Sequence, residues 1–436
     1  MSDKNSGWTG FVDRIRALNP RDGRLRTGIR TIRTAWRVPY TKARRRRLKL
    51  DTIIGVTGSC GKSTTSRLID AALADEEGVF LGYGKNTIEG VRGSMFRIPS
   101  NAKIWVQEIS GHTHEGMKES VEFAKPTVGV VTTIGTDHIT NFKSAEDIAI
   151  AKRQLVEALP ENGHAILNAD DPLVSAMAER TRANIVTYGK SADADIRLIS
   201  SRSGYPERLT LRLCAGEEIV DVSTRFVGER WTTSILAAIA TAYAVGVPLK
   251  NAADAVGKVE PLQFKDDVYV HDGMTFMADA FKAPYWTMES SVDIVKAANA
   301  ARKVMIIGTI SDYRGAARAK YMGTAKAALD AAQIVIFFGH HSQRVRRLKA
   351  DYPDRLFMFE TYEELAVFLR DTLKKGDFIY IKASGADHLE RIVLACEKPI
   401  VCHLTSCGIS VTCNHCKHLY GKKPWYRRWH SRWTQA

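Results

Sequence analysis

From Leu50 onward, short apolar runs alternate with stretches whose apolar residues recur every three or four positions. TIIGVTG, KIWVQEI, TVGVVTTIG and HAILNA read as strands covered on both faces, because such strands lose the alternation of inward and outward residues. Between them, KSTTSRLIDAALA and AEDIAIAKRQLVEAL carry helical spacing, so this part of the chain predicts a parallel sheet with crossover helices. The period changes over residues 193–227, where LTLRLCAGEEIVDVSTRF alternates as hairpin strands do, and a long alanine-rich helix follows from Thr232 to Val245. A second block begins near Val268 and runs through TFMADA, KVMIIG, IVIFFG, LFMFE and FIYIKAS. Each of its strands is followed by a helical stretch, which predicts a separate doubly wound domain of roughly 130 residues. Residues 8–50 read as basic helical segments interrupted at Pro20 and Pro39.

The length of 436 residues is more than one ordinary core holds. No apolar run reaches the roughly 20 residues of a membrane span, and MSDKNSGWTGF lacks the apolar centre of a signal peptide, so a cytoplasmic chain is expected. The net charge of +15 is unevenly placed: +12 falls on residues 1–50, +6 on residues 417–436 and −3 on everything between. The central machine therefore gives no reason to expect a nucleic-acid partner. The ends mix positive charge with tryptophan, as in YGKKPWYRRWHSRW, a composition suited to peripheral contact with an anionic membrane at its inner face. A solvated, disordered extension is the competing reading for residues 20–50.

GVTGSCGKSTT (Gly55–Thr65) joins a strand to a helix through a glycine turn. That arrangement aims backbone N–H groups and a helix N-terminus at one point, which suits a phosphate. Lys62 would reach the terminal phosphates and the Ser63 hydroxyl would ligate Mg²⁺. Val56 stands where the usual GxxxxGK[ST] pattern has its first glycine.

TGSCGKSTT resembles the TGSNGKTTT nucleotide loop of the Mur ligase family, whose turn also lacks that glycine. LGYGKNTIEGVRGSM resembles the family's substrate-facing segment, which implies substrate-binding roles for Asn86 and Thr87. Glu108 in WVQEISG and His138 in TTIGTDHITNF match its Mg²⁺-associated positions. Lys152 in IAIAKRQLVEAL matches the lysine that is carbamylated in many members, and LNADDP follows in the expected order. DAFKAP (Asp279–Pro284) is similar to the family's D-x-A-H-x-P loop, with Lys282 in place of histidine. GDFIYIKASGADHLERI places Lys382 and Ser384 near the amine site. The resemblance covers about residues 50–395. It implies ATP held by Thr57, Gly58, Ser59, Cys60, Gly61, Lys62, Ser63, Thr64 and Asp279, with Lys62, Glu108, His138, Lys152 and Lys282 as the catalytic set. FVGERWTTSILAA keeps only the frame of the family's base-contacting segment, so Arg230 and Trp231 are expected to meet the nucleotide base differently, with Trp231 stacking on it. Alone, each of these residues has a structural reading: a strand-end acid, a loop histidine, a solvated helix lysine. Their order along the chain carries the inference.

The resemblance implies a P-loop-containing central ATPase domain with a mostly parallel sheet over residues 50–250 and a smaller Rossmann-like α/β domain over 251–395. A basic extension over 1–49 and a tail over 396–436 flank them. The implied reaction is ATP-dependent amide formation between a carboxylate and an amine or amino acid through an acyl phosphate, in cell-envelope or polymer biosynthesis. Only a basic segment precedes Leu50, so the short forms without a UDP-sugar-binding domain are the expected relatives, and a UDP-linked muropeptide is not the expected substrate. The alternative is a nucleotide-binding protein that has lost catalysis and serves partner or nucleic-acid binding. Retention of the whole metal and phosphate set argues against it.

Four of the seven cysteines lie in CHLTSCGISVTCNHC. The spacing C-x4-C-x5-C-x2-C in a cytosolic chain points to a structural Zn²⁺ on Cys402, Cys407, Cys413 and Cys416. His403, His415 or His418 could replace one cysteine, and an iron–sulfur cluster is a further option.

Overall fold

The computed structural model describes residues 37–82, 86–136, 141–405, 407–409 and 412–421. The first sheet is built from β1 (Thr52–Thr57), β2 (Val79–Gly82), β3 (Ile104–Glu108), β4 (Val128–Val131), β5 (His164–Asn168), β6 (Asn184–Gly189), β7 (Ile196–Gly204), β8 (Glu207–Ala215) and β9 (Glu218–Ser223). Their spatial order is β2-β3-β1-β4-β5-β6-β7-β8-β9. Pairing is parallel up to β7 and antiparallel through the β7–β9 hairpins. β1 lies inside the sheet and is covered on both faces, which is why TIIGVT is apolar without alternation. Gly55 permits that cover, since a Cβ there would lie 2.8 Å from a Leu155 methyl. The alanine-rich helix Thr232–Ala244 is apolar nearly all round and is buried in the same core, where its small side chains let Lys62–Ala72 approach.

The second sheet comprises β10 (Lys265–His271), β11 (Met274–Asp279), β12 (Arg302–Ile307), β13 (Ile334–Phe338), β14 (Leu356–Phe359) and β15 (Asp377–Lys382), in the order β10-β11-β15-β12-β13-β14. Only the β10–β11 pair is antiparallel. Helices Met288–Ala297 and Ala317–Ala331 cover one face, and Tyr362–Thr372 and Arg391–Glu397 the other. Both α/β units expected from the sequence are present.

Three boundaries differ from the expectation. Helix Leu249–Gly257 buries Leu249, Ala252, Ala253 and Val256 in the first core, so the central unit extends past residue 250 and the second sheet starts only at Lys265. The tail packs as well: Cys413 and Leu419 are buried in the core beneath Tyr362–Thr372 and Arg391–Glu397. Withdrawing a side chain the size of Leu419 from water contributes about 2 kcal/mol. Residues 37–47, read from sequence as a basic helical segment with a disordered extension as the competing reading, form a helix, and it is docked on the first domain. Tyr40 stacks on Phe96 at 5.3 Å and Arg44 donates to the Ile98 carbonyl at 2.7 Å. Arg45 donates twice to the Ala124 carbonyl, at 2.9 and 3.2 Å. That carbonyl ends helix His114–Ala124, which has no basic residue in its own last turn, so a cation there answers the negative end of the helix dipole.

The two sheets meet through more than the connecting chain. The β7–β8 hairpin reaches the second domain, where Tyr205 stacks on Phe378 at 5.4 Å and its carbonyl accepts from Asn299 N at 2.7 Å. Among the described residues no helix is long and apolar enough to cross a membrane.

Candidate active site

Register brings the first group of residues together. Val56 pairs with Glu108 and Thr57 pairs with Val131, so the turn after β1 sits between the ends of β3 and β4. Gly58 has φ 139° and a Cβ there would lie 1.9 Å from Thr132 Oγ1, which leaves glycine as the residue that fits. Gly61, at φ 80°, likewise faces Ser234 Oγ at 2.5 Å from where a Cβ would stand. The turn is tied to residues 132–135: Thr132 Oγ1 donates to the Cys60 carbonyl at 2.6 Å, Ser59 N donates to the Thr133 carbonyl at 2.8 Å, and Ser59 Oγ donates to the Gly135 carbonyl at 3.3 Å. Asn168 and Asp171, from LNADDP, hold that segment in turn. Asn168 Nδ2 donates to the Thr132 carbonyl at 2.9 Å, and Asp171 accepts from Thr133 Oγ1 and Ile134 N at 2.9 and 2.7 Å.

Helix Lys62–Ala72 starts at the turn with no side-chain cap and no acid in its first turn, so its N–H groups and positive dipole end face the loop. Lys62 is buried and donates to the Gly58 carbonyl at 2.5 Å, which holds its ammonium over the turn. Ser63 and Thr64 follow on the first helical turn. Glu108 is 3% exposed, and its Oε1 is a buried acceptor with no hydrogen-bond partner. A buried carboxylate oxygen without a donor, on the strand end next to the phosphate turn, fits the oxygen-donor set of Mg²⁺. Lys152 is buried on helix Ala145–Glu157. Asn86 offers its carbonyl to Ser110 N at 2.7 Å, and Thr87 begins helix Ile88–Ser94. His138 lies outside the described residues.

The second group comes from the other sheet. Asp279 and Lys382 are register partners at the ends of β11 and β15, and Lys382 Nζ donates to Asp279 Oδ2 at 2.5 Å. Arg230, from just before the alanine-rich helix of the first domain, donates to Asp279 at 2.6 Å and also pairs with Asp266. Tyr380 OH donates to Asp266 at 2.8 Å. Burial raises the Asp266 carboxyl to about 6 against the pull of Arg230. Burial also works to raise Asp279, but Lys382 and Arg230 hold it below its ordinary value. Phe264 and Asp266 have φ 59° and 54°, so the crossing into the second domain is strained where it enters this network.

Arg230, expected at the nucleotide base, is thus committed to an ion network that joins the two domains. Trp231 is 7% exposed, packed in the first core 5.4 Å from Phe226 and lying under the Arg230 guanidinium at 5.0 Å. It is a core indole rather than an open stacking surface. Lys382, expected near the amine, is 2% exposed and is the partner of Asp279. Lys282 is exposed on the Asp279–Pro284 loop.

Lys265 is the residue whose role the sequence leaves open. Burial lowers its ammonium from the ordinary value, while Glu108, Asp279 and Cys60 act to raise it and Lys282 to lower it. Lys265 is half-buried at the start of β10, and its ammonium lies 4.4 Å from the centre of the Phe281 ring on the Asp279–Pro284 loop. Its signal in sequence is a lysine at the domain crossing. The second domain also touches the first at Gly135 and Phe142: Trp286 abuts Gly135, and Arg314 donates to the Phe142 carbonyl at 2.6 Å. Ser384 begins a loop anchored by Asp387, which accepts from Ser384 N at 3.0 Å and from Thr309 N and Oγ1 at 2.8 and 2.7 Å.

Among the described residues no three of the four tail cysteines bring their sulfurs within 4.8 Å of one another. Among the described residues, the side chains whose donor atoms gather within 4.8 Å of one another are His388, Glu390 and Cys413. Cys407 Sγ lies 3.2 Å from His388 Nε2.

Residues 56–242 match the Mur ligase middle domain. The chain is 28% identical over 360 residues to the UDP-N-acetylmuramoyl-tripeptide–D-alanyl-D-alanine ligase of Mycobacterium tuberculosis, covering 77% of this chain and 71% of that protein. The ligase of the same name from Bacillus subtilis is 25% identical over 350 residues, covering 78% and 75%. The structure of MurF ligase from Thermotoga maritima in complex with ADP superposes with a TM-score of 0.73 at 21% identity, over 83% of this chain and 84% of that one. Phosphate turn, buried carboxylate, second α/β domain and these likenesses agree: the central domain, residues 56–242, belongs to the Mur ligase family, whose members are ATP-dependent, ADP-forming ligases that join a carboxylate to an amine.

Proposed function

We propose that this chain activates the carboxylate of a cell-envelope peptide or polymer precursor with ATP and joins it to the amino group of an amino acid or dipeptide. The observation that carries this reading is geometric: register sets Glu108, with its unpartnered buried oxygen, beside the phosphate turn, and the Arg230–Asp279 pair draws the second domain's Asp279–Pro284 loop to the same end of the first domain. The turn's N–H groups and Lys62 hold the β- and γ-phosphates. Ser63 and Glu108, with His138 from outside the described residues, would hold Mg²⁺, which would offset charge on the phosphates. The substrate carboxylate oxygen attacks the γ-phosphorus and ADP leaves, giving an acyl phosphate. The amine nitrogen then attacks the acyl carbon, loses its proton, and inorganic phosphate departs. Lys62, Lys265, Lys282 and Lys152 offset the negative charge that builds on the transferred group. Asn86 and Thr87 face the acid, and Ser384 borders the amine. The contacts of Trp286 with Gly135 and of Arg314 with the Phe142 carbonyl bring the second domain against the first, which helps to exclude water that would hydrolyse the acyl phosphate.

The relatives' names specify a UDP-N-acetylmuramoyl tripeptide and D-alanyl-D-alanine. The same pair is the first to test here, beside a peptide carboxylate carrying no nucleotide. ADP release that requires both an acid and an amine supports the reading, whereas turnover indifferent to the amine overturns it. The enzyme works in the cytoplasm, and the basic ends outside the described residues contact the inner membrane face. Retention of the full chain, but not of residues 37–421, by anionic vesicles tests that contact.

A further inference from the structure

The tail carries one cluster of soft and borderline donors that the ligase chemistry does not use. His388 and Glu390 come from the loop after β15, while Cys407 and Cys413 come from the tail. His388, Glu390 and Cys413 are all buried, with donor atoms mutually within 4.8 Å. Cys407 Sγ stands 3.2 Å from His388 Nε2, close to the roughly 3.5 Å edge between S and N donors on a tetrahedral zinc ion. On the opposite side of the ring, His388 Nδ1 lies 3.5 Å from Glu390 Oε1. Glu390 also accepts from Cys413 N at 2.8 Å, which fixes the carboxylate between the histidine and the tail. Its second oxygen, Oε2, is buried with no hydrogen-bond partner. His388 has φ 53°, a backbone conformation that a histidine holds only when its surroundings impose it.

A carboxylate behind one imidazole nitrogen and a thiol, Cys407, in front of the other is the arrangement that orients a metal-binding histidine. We propose that His388 Nε2, Cys407 and Cys413 bind a zinc-class divalent ion, that one further tail thiol, Cys402 or Cys416, closes the tetrahedron, and that Glu390 orients His388. Both candidate thiols are near enough to Cys407 for their charge to act on it. The site is not the four-cysteine cage suggested by spacing alone. It joins the tail to a loop of the second domain.

That loop is also the one anchored through Asp387 to Thr309, with Ser384 at its start. The ion therefore braces the wall assigned to the amine, a consequence that rests on the ligase reading, whereas the metal site itself does not. The test is metal analysis of the full-length protein, with Co²⁺ in place of the native ion as a spectroscopic reporter. One ion per chain is expected, with Co²⁺–thiolate charge-transfer bands and ligand-field bands of a mixed sulfur and nitrogen set. His388→Gln should weaken binding by at least tenfold and shift those bands, and Cys407→Ser and Cys413→Ser should each remove the ion. Cys402→Ser and Cys416→Ser identify the fourth donor, since only one of them should lose it. Glu390→Gln should weaken binding about tenfold while leaving the charge-transfer bands in place. Circular dichroism of each variant shows whether its fold persists. Absence of stoichiometric metal in the wild-type protein after reconstitution, or unchanged affinity and spectrum in folded His388→Gln, overturns the proposal. If metal binds as described but removing it leaves the KM for the amine unchanged, the site stands and its tie to the amine wall falls.

Discussion

The phosphate turn and the Arg230–Asp266–Asp279–Lys382 network both manage charge at the junction of the two domains, but they do so by opposite means. The turn works through backbone N–H groups fixed by Gly58 and Gly61 over a few consecutive residues, and its cation, Lys62, leans on a carbonyl of the same turn. The network works through side chains from three distant segments, buried and matched two positive against two negative. Position does the work in one and pairing in the other. A charged residue near a nucleotide site can therefore belong to either scheme, and its place in a motif does not say which.

That difference can be broken by substitution, and the largest effect belongs to the turn. Lys62→Ala removes a cation that the turn places but does not need for its own shape. ADP formation should fall about a thousandfold or more while the thermal midpoint stays close to wild type. A parallel collapse of stability would place Lys62 in the structural scheme instead. Asp279→Asn should do the reverse in folding terms, because it leaves Arg230 and Lys382 with one carboxylate fewer in a buried site. A loss of about 3–5 kcal/mol in urea unfolding is expected. The double variant Arg230→Met with Asp266→Leu should cost less than the sum of the two single changes, since removing both charges leaves neither unpaired.

A smaller effect lies in the pH dependence. Asp266 is raised by burial to about 6, so between about pH 4 and 6 the folded state holds a proton that the unfolded chain has released. Its contribution to stability is fully present below about pH 4 and is lost as pH rises through 6. Asp279, held below its ordinary value by Lys382 and Arg230, contributes in the other sense, and that part is lost as pH falls through its lowered value. Wild-type stability relative to Asp266→Asn should therefore fall between pH 4 and 7. A flat difference would show that Asp266 is ionised throughout. The smallest effect is expected at Arg45→Met, which removes two donations to the Ala124 carbonyl but keeps an apolar stem, for a loss of about 1 kcal/mol in unfolding.

The same contrast explains what could be read in the chain. Strands β1, β3 and β12–β15, the start of the helix at Lys62 and the end of a strand at Glu108 were legible because each follows from local period or a contiguous motif. Thr232 begins its helix where the alanine-rich run begins. The roles of Arg230 and Lys382 were not legible, since a salt bridge between residues 49 or 103 positions apart leaves no local pattern. Helix Leu249–Gly257 was assigned to the wrong side of a boundary because its apolar face says that it packs, not against which sheet. Arg44 and Arg45 looked like solvated charge, and only the folded chain shows which carbonyls they reach. In the tail, spacing drew attention to the cysteines, but His388 enters from another segment altogether.

The β7–β8 hairpin gives the enzyme a second fastening between its halves. Tyr205 is seated on Phe378 while the backbone crosses elsewhere, near Phe264. A movement that parts the halves must also break the Arg230–Asp279 pair and lift Trp286 from Gly135. Shortening the hairpin would remove the Tyr205 seat and shift its load onto those contacts.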